Sequence, residues 1–199
     1  WMSNEIGPAA VTAVGSCTSV DDDRDIPDTM AVLFEMPGGS IVHFDINEAS
    51  AALRLAEKEV LICGTKGSLA LDQNGYILTP TTPGQFQKWE PHMEKKEVNL
   101  EKNNTYGDLG IAEDSTQILL DDFVDCTLER RQPLCSLEDA HRSTCFAHLA
   151  NISLRRKQRI EWDVDAEKIT NLPDANVELH YPYRAPWSLD PEQVADAGS

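Results

Sequence analysis

Three side chains that could bind a metal ion lie at helical spacing in the segment Ser136–Ile152. His141, Cys145 and His148 occupy positions i, i+4 and i+7, which share one side of an α-helix. Imidazole and thiolate groups are zinc ligands, so a metal site is geometrically possible. However, any amphipathic helix turns such positions inward, and the sequence fixes no further ligand nearby. We therefore favour inward-facing, hydrogen-bonded histidines that are structural or line a domain cleft, with His148 buried, and predict no metal-ligating residue.

A second group of polar side chains lies on the predicted strand Ser40–Asn47. Because side chains alternate between the two faces of a strand, His43, Asp45 and Asn47 share one face with Ile41. That face could be solvated, could form a subunit interface or could contact a substrate, and the last role suits Asn47 best because it ends the strand. The opposite face is apolar and is predicted to pack on the core: Val42, Phe44 and Ile46.

The sequence does not support a phosphate-binding loop, a hydrolase active site or a calcium-binding loop. Gly64-Thr65-Lys66-Gly67 lacks the spacing of a phosphate-binding loop and leads into another strand, so it predicts a hairpin turn. No serine lies in a G-x-S-x-G elbow, which leaves a hydrolase without support. The acidic loop at 21–25 lacks the spacing of a calcium loop and is predicted to be solvated.

The composition is that of an acidic globular protein. Thirty-four acidic and 17 basic side chains give the 199 residues a formal net charge of −17. This charge repels phosphate backbones and anionic membranes, so we expect neither nucleic acid nor membrane as a partner. The five cysteines form no C-x-x-C pair and are predicted to be reduced and mostly buried. No apolar run reaches transmembrane length, and we expect a cytoplasmic location, with the periplasm as the alternative.

Strand patterns fill the first half of the chain and helical patterns the second. The predicted strands are Ala10–Cys17, Thr29–Met36, Ser40–Asn47, Glu59–Cys63, Ser68–Asp72, Tyr76–Thr79 and Glu94–Leu100. The second half predicts a helix at Asp114–Arg130, a helix capped by Ser136 that runs to about Arg156, and an edge strand at Arg159–Trp162. This order predicts an α+β fold, an open, mostly antiparallel β-sheet with helices packed on one face. We expect a domain over residues 1–164 and a tail over 165–199 that packs on it or extends from it.

Seven short motifs occur in a characteristic order: Pro8–Gly15, Asp25–Thr29, Gly64–Leu69, Phe123–Cys126, Arg131–Pro133, Glu138–Ser153 and Tyr183–Trp187. Each is weak by itself, but the ordered set spans about residues 8–188. The set resembles the C-terminal domain of the glucose-fructose oxidoreductase, inositol dehydrogenase and rhizopine-catabolism (Gfo/Idh/MocA) family. The Y-R-x-P-W ending is typical of a bacterial branch of that family.

The resemblance implies a parent protein in which an N-terminal Rossmann domain binds NAD or NADP and a sugar or cyclitol lies in the interdomain cleft. The chain contains no glycine-rich dinucleotide fingerprint and no Glu-Lys-Pro segment, and the family's aspartate–histidine motif would precede Trp1. We therefore expect the N-terminal domain to be missing and expect no catalytic or cofactor-binding residue here. Since the cofactor carries the hydride chemistry, the chain alone should be inactive.

The resemblance therefore implies the substrate-binding and oligomerisation domain of an NAD(P)-dependent sugar or cyclitol oxidoreductase. We expect Asn47, His141 and Arg142 to bind the substrate, with His141 or Arg142 facing the cleft. We expect a homo-oligomer formed through the outer sheet face. The alternative is a non-catalytic sugar sensor or assembly scaffold with the same fold.

Overall fold

The computed structural model describes residues 5–18, 22–24, 26–48, 58–72, 75–81, 93–99, 115–181 and 183–184. The chain divides into two compact units. The first unit comprises Trp1–Ser50 and Leu137–Ser199, and the second comprises Ala51–Ser136. The boundary that the sequence predicts at residue 164 stays a prediction.

The described elements follow the predicted order closely. The strands are β1 Ala10–Ser16, β2 Thr29–Glu35, β3 Ile41–Asn47, β4 Val60–Gly64, β5 Gly67–Asp72, β6 Gly75–Pro80, β7 Lys96–Asn99, β8 Ile160–Asp163 and β9 Lys168–Ile169. The helices are α1 Ser115–Glu129, α2 Leu137–Arg156 and a 3-10 helix at Pro173–Leu179. Helix α2 begins one residue after Ser136, where the sequence predicts its cap.

The first unit contains a five-stranded sheet of order β3-β2-β1-β8-β9, in which every pair is antiparallel. The second unit contains a four-stranded antiparallel sheet of order β4-β5-β6-β7. The α+β class with open antiparallel sheets is therefore confirmed. The prediction that β8 lies at the sheet edge is wrong, because β9 pairs along its outer side through Trp162 and Ile169.

Helix α2 covers the first sheet at β1 and β8. Its inner side chains Leu149 and Ile152 are each 1% exposed, and they pack on the fully buried Val11 and Ile160. Ser153 is also fully buried. Its hydroxyl oxygen accepts a hydrogen bond from the Ala13 amide at 3.0 Å and lies 2.7 Å from the Gln158 carbonyl, to which it donates. The Ser153 hydroxyl therefore links the helix to the sheet, and both its donor and its acceptor function are satisfied despite its burial.

The edge strand β3 departs from the predicted burial. Val42 and Phe44 share the helix side of the sheet with Phe34, but they are 44% and 52% exposed. Among the predicted inward residues, Ile46 alone packs against the core. The alternation of the strand is correct, but α2 lies over β1 and β8 and not over the edge, so the inner face of β3 stays open within the described residues.

Residues beyond 164 contribute to the core of the first unit. Ile169 on β9 and Ala175 in the 3-10 helix are 2% and 0% exposed. The carboxylate of Glu178 accepts hydrogen bonds from Arg155 and Arg156 at the end of α2. The chain that follows β8 is therefore fastened to α2 by both apolar packing and ion pairs.

The second unit has two features that its sequence explains. Gly64 pairs with Gly67 across a two-residue turn, which confirms the predicted hairpin. Gly75 has a φ of 139°, and a Cβ there would meet the Val98 carbonyl oxygen at 2.0 Å, so a side chain is excluded.

A buried carboxylate organises the end of α1 in the same unit. Asp122 is 8% exposed and accepts hydrogen bonds from the Leu134 amide and the Arg131 guanidinium, each at 2.8 Å. These two donors hold the pKa of Asp122 below its ordinary value. The segment after α1 is thus folded back onto the helix.

The cysteines are free, but the prediction that most of them are buried is wrong. Cys126 is buried and Cys145 half-buried, while the other three are exposed: Cys17, Cys63 and Cys135. The exposed ones lie after a strand, on an edge strand and before α2, where no described element covers them.

Candidate functional site

The side of α2 that faces the sheet, here called its inner stripe, determines which of the predicted site residues His141 and Arg142 remains accessible. Arg142, Leu149 and Ser153 recur at i, i+7 and i+11, so Arg142 lies on the side of the helix that faces the sheet. Its guanidinium donates to the Val164 carbonyl at 3.0 Å and to the Glu138 carboxylate at 2.7 Å. The hydrogen bond to Glu138 raises the pKa of Arg142 above its ordinary value. Arg142 therefore fastens α2 to the turn between β8 and β9.

His141 lies one position away, 100° around the helix from Arg142, and remains half exposed. Its Nε2 atom lies 2.7 Å from Oε1 of Glu167, and the two side chains are 49% and 46% exposed. Glu167 adopts a left-handed conformation with a φ of 49°, which is uncommon for a residue with a side chain. The structure thus brings an imidazole and a carboxylate into contact on an accessible surface.

Cys145 completes this group but is not prepared for nucleophilic chemistry. Its Sγ atom lies 3.7 Å from Nε2 of His141. Burial, with the negative charge of Glu167 as a further cause, raises the pKa of the Cys145 thiol. The side chain is therefore a neutral thiol at pH 7. Because the thiolate is the nucleophilic form, Cys145 is unreactive in this environment.

The predicted burial of His148 is wrong, because this residue is exposed. It lies 100° around the helix from Leu149, outside the stripe that meets the sheet. Within the part of the chain that the structure describes, no group of three His, Cys, Asp or Glu side chains has the geometry of a metal site.

Asn47 lies at the opposite end of the sheet from His141 and Arg142. It pairs with Thr29 in the row that includes Ser16, whereas Arg142 bonds beyond the Ala10 end of β1, at the turn after β8. Six residues of strand separate the two rows, which is about 20 Å. The structure therefore unites two of the three predicted substrate residues and leaves the third apart.

The outer face of the first sheet combines apolar side chains with a contact between two polar side chains. Val14 is 65% exposed, Ile41 69% and Leu33 46%. His43 and Asp45 pair at 3.0 Å on the same face. Strand pairing places all five on one side of the sheet: Val14 beside β2, Leu33 opposite His43, and Ile41 and Asp45 along β3.

An open cavity of about 300 Å³ lies in the second unit beside the turn Gly64–Gly67. Ile62, Leu69 and Leu78 supply much of its wall. Lys66 is the one charged residue of its described lining, so the cavity lacks an acid–base pair.

Sequence reasoning missed Glu167 and the Val164 carbonyl. The pattern of α2 contains no information on a partner 26 residues away, which only the pairing of β8 with β9 brings beside the helix. The available signal was a short turn after β8 that carries three carboxylates at Asp163, Asp165 and Glu167.

The first unit thus combines an α+β fold, in which a helix packs on an antiparallel sheet, with a polar cluster on that helix. Residues 104–189 match the family described as oxidoreductase family, C-terminal alpha/beta domain, of Gfo/Idh/MocA type. This match confirms, over these residues, the resemblance found in the sequence. No curated protein matches the chain.

Solved structures share the fold. The chain is similar to UDP-N-acetylglucosamine 3-dehydrogenase GnnA from Acidithiobacillus ferrooxidans, with a TM-score of 0.50, 16% identity, and coverage of 75% of this chain and 41% of that one. It is also similar to an oxidoreductase from Agrobacterium radiobacter in complex with NAD⁺, L-tartaric acid and magnesium. That TM-score is 0.52 at 15% identity, with coverage of 80% and 44%. The chain thus spans about two fifths of the length of these structures.

Among the described helices, none is both long enough and apolar enough to cross a membrane.

Proposed function

We propose that this chain is the substrate-binding and oligomerisation domain of an NAD(P)-dependent sugar or cyclitol oxidoreductase. The observation that carries the proposal is the family match over residues 104–189, which includes the whole of α2 with His141 and Arg142. On that helix Arg142 is engaged by Glu138 and Val164, whereas His141 keeps a half-exposed ring beside Glu167. His141 is therefore the substrate contact, and Arg142 positions it.

The parent enzyme would use NAD or NADP, as the nicotinamide complex of the similar Agrobacterium radiobacter oxidoreductase suggests. The 199 residues themselves contain no glycine-rich strand–helix turn to hold a pyrophosphate. We therefore propose that the chain alone is catalytically inactive. Titration calorimetry with NAD⁺ and NADP⁺ tests this: no saturable binding tighter than about 100 μM, or roughly −5.5 kcal/mol, is expected. Tighter binding would contradict it.

The oligomerisation role is proposed for the outer sheet face. Exposed Ile41 and Leu33 beside the His43–Asp45 pair form a mixed apolar and polar surface of the kind found at subunit contacts. Sedimentation at physiological salt is expected to give a dimer or larger species, broken by Ile41→Asp. The matched control is Val42→Asp, which changes the other face of the same strand and should leave the assembly intact. A monomeric wild-type chain at about 50 μM, far above the concentrations at which stable dimers form, would refute this role.

A sugar sensor or assembly scaffold is the competing function. Sequencing of any coding region upstream of Trp1 would separate the two, since a Glu-Lys-Pro lysine and an aspartate–histidine motif there would favour the enzyme. Their replacement by residues that cannot transfer protons would favour the scaffold.

A further inference from the structure

The contact between His141 and Glu167 also indicates which sugars the site accepts. We infer that its ligand is a sugar or cyclitol without negative charge, so that uronates and sugar phosphates are excluded. This inference rests on the proposed function, because it assigns a substrate class to the same site. It follows from two properties of the described residues, their hydrogen-bonding character and their charge.

The first property is that hydrogen-bond acceptors dominate the site. In neutral His141 the Nε2–H group donates to Glu167, which leaves the lone pair of Nδ1 as an acceptor. The half-exposed carboxylate of Glu167 offers acceptor sites of its own, since an ionised carboxyl has about four. Hydroxyl and amino groups can donate to these acceptors, whereas an ionised phosphate or carboxylate has no proton to give. The site therefore complements the hydroxyl groups of a polyol, whereas the anionic group of a uronate or sugar phosphate finds no donor in this pair, because Nε2–H is already given to Glu167.

The second property is the sign of the surrounding charge. The segments 138–142 and 163–168 supply five carboxylates, against the cations Arg142 and Lys168. Arg142 already donates to Glu138 and to the Val164 carbonyl, so its guanidinium is committed to the protein. An anionic ligand at His141 would meet these five carboxylates with only Lys168 of the two segments left to offset them, on a chain that carries −17 in total.

Nuclear magnetic resonance of the full 199-residue chain tests the inference. The readout is the ring resonances of His141, assigned with His141→Ala and followed at a pH above the histidine titration. The probes are myo-inositol, D-glucosamine, D-glucuronate and D-glucose 6-phosphate. Each is titrated to about 50 mM at matched ionic strength, so that dissociation constants in the millimolar range can be measured. Glu167→Gln keeps the size of the side chain and removes its charge. His148→Ala is the control, because this histidine is also exposed on α2.

Saturable shifts are expected with inositol and glucosamine, and affinities at least about tenfold weaker with the two anions. The shifts should disappear in Glu167→Gln and persist in His148→Ala. If the anions bind as tightly as the neutral probe, the inference fails while the proposed substrate-binding role stands. If no probe moves the His141 resonances, the substrate-binding role at this site fails and takes the inference with it. If Glu167→Gln binds as well as the wild type, the His141–Glu167 contact does not select the ligand.

Discussion

The two halves of α2 differ in burial: the C-terminal half packs on the sheet, and the N-terminal half is mostly exposed. From Leu149 onward, four inner side chains are buried against the sheet, and two arginines hold the 3-10 helix through Glu178. From Leu137 to Cys145 the described side chains are exposed or half-buried, and polar contacts replace apolar packing. Burial of apolar surface supplies most of the stability of a domain, while exposed ion pairs supply little. The C-terminal half therefore fixes the helix, and the N-terminal half can present polar groups with small consequences for folding.

The largest expected effect comes from the buried half. Ile152→Ala removes a side chain that is 1% exposed and leaves a cavity against the sheet, so the free energy of unfolding should fall by about 3 kcal/mol. Thr144→Ala, in the exposed half, should stay within about 0.5 kcal/mol of the wild type. Urea unfolding of both variants measures the contrast. Similar losses in the two would show that the halves are equally packed.

The next effect concerns the buried hydroxyl. Ser153→Ala leaves the Ala13 amide without its acceptor, which should cost about 2 kcal/mol. Ser143 on the exposed half bonds to the Asp139 carbonyl of its own helix, and Ser143→Ala should change stability by less than about 0.5 kcal/mol. Thermal unfolding under one set of conditions compares them. An equal shift in melting temperature would argue against a special role for the buried hydroxyl.

A smaller, pH-dependent effect is expected at Glu178. Burial alone would raise the pKa of its carboxyl, but the hydrogen bonds from Arg155 and Arg156 outweigh burial and hold the pKa below its ordinary value. The stabilisation is therefore fully present above the unfolded pKa of about 4.3 and is lost as the pH falls through the lower folded value. Glu178→Gln should reduce stability at pH 7 by an amount on the order of 1 kcal/mol, since solvent screens the pair.

The pH dependence of the Glu178→Gln effect supplies the check. The difference in unfolding free energy between the wild type and this variant should shrink between pH 6 and pH 3, following the protonation of the Glu178 carboxyl. Urea unfolding at several pH values measures it. A difference that stays constant over this range would mean that the arginines do not stabilise the ionised carboxylate.

The smallest effect on stability is expected at the proposed site itself. His141→Ala removes one half-exposed hydrogen bond to Glu167, so the melting temperature should stay close to that of the wild type while the response to inositol is lost. Differential scanning fluorimetry and the resonance titration together report the two properties. A variant that melts far below the wild type would make His141 a structural residue.

The sequence was sufficient for features that depend on local patterns. Alternation, together with the turn at Pro37-Gly38-Gly39, predicted the hairpin of β2 and β3. Helical periodicity and Ser136 predicted α2 at both ends, within a residue. The motif order indicated the family of the C-terminal domain, which the family match over residues 104–189 confirms.

Tertiary contacts decided what each of these residues can do. The sequence placed His141, Arg142 and His148 on one helix, but which of them face the sheet depends on how α2 is rotated against β1 and β8. The partner of His141 comes from a turn 26 residues later, and the arginine beside it is committed to the carbonyl of Val164. Local sequence determines spacing along an element, whereas the contacts that leave a side chain accessible or engaged are made by residues distant in the chain. The alternation of β3 was therefore predictable, and the exposure of Val42 and Phe44 at its edge was not.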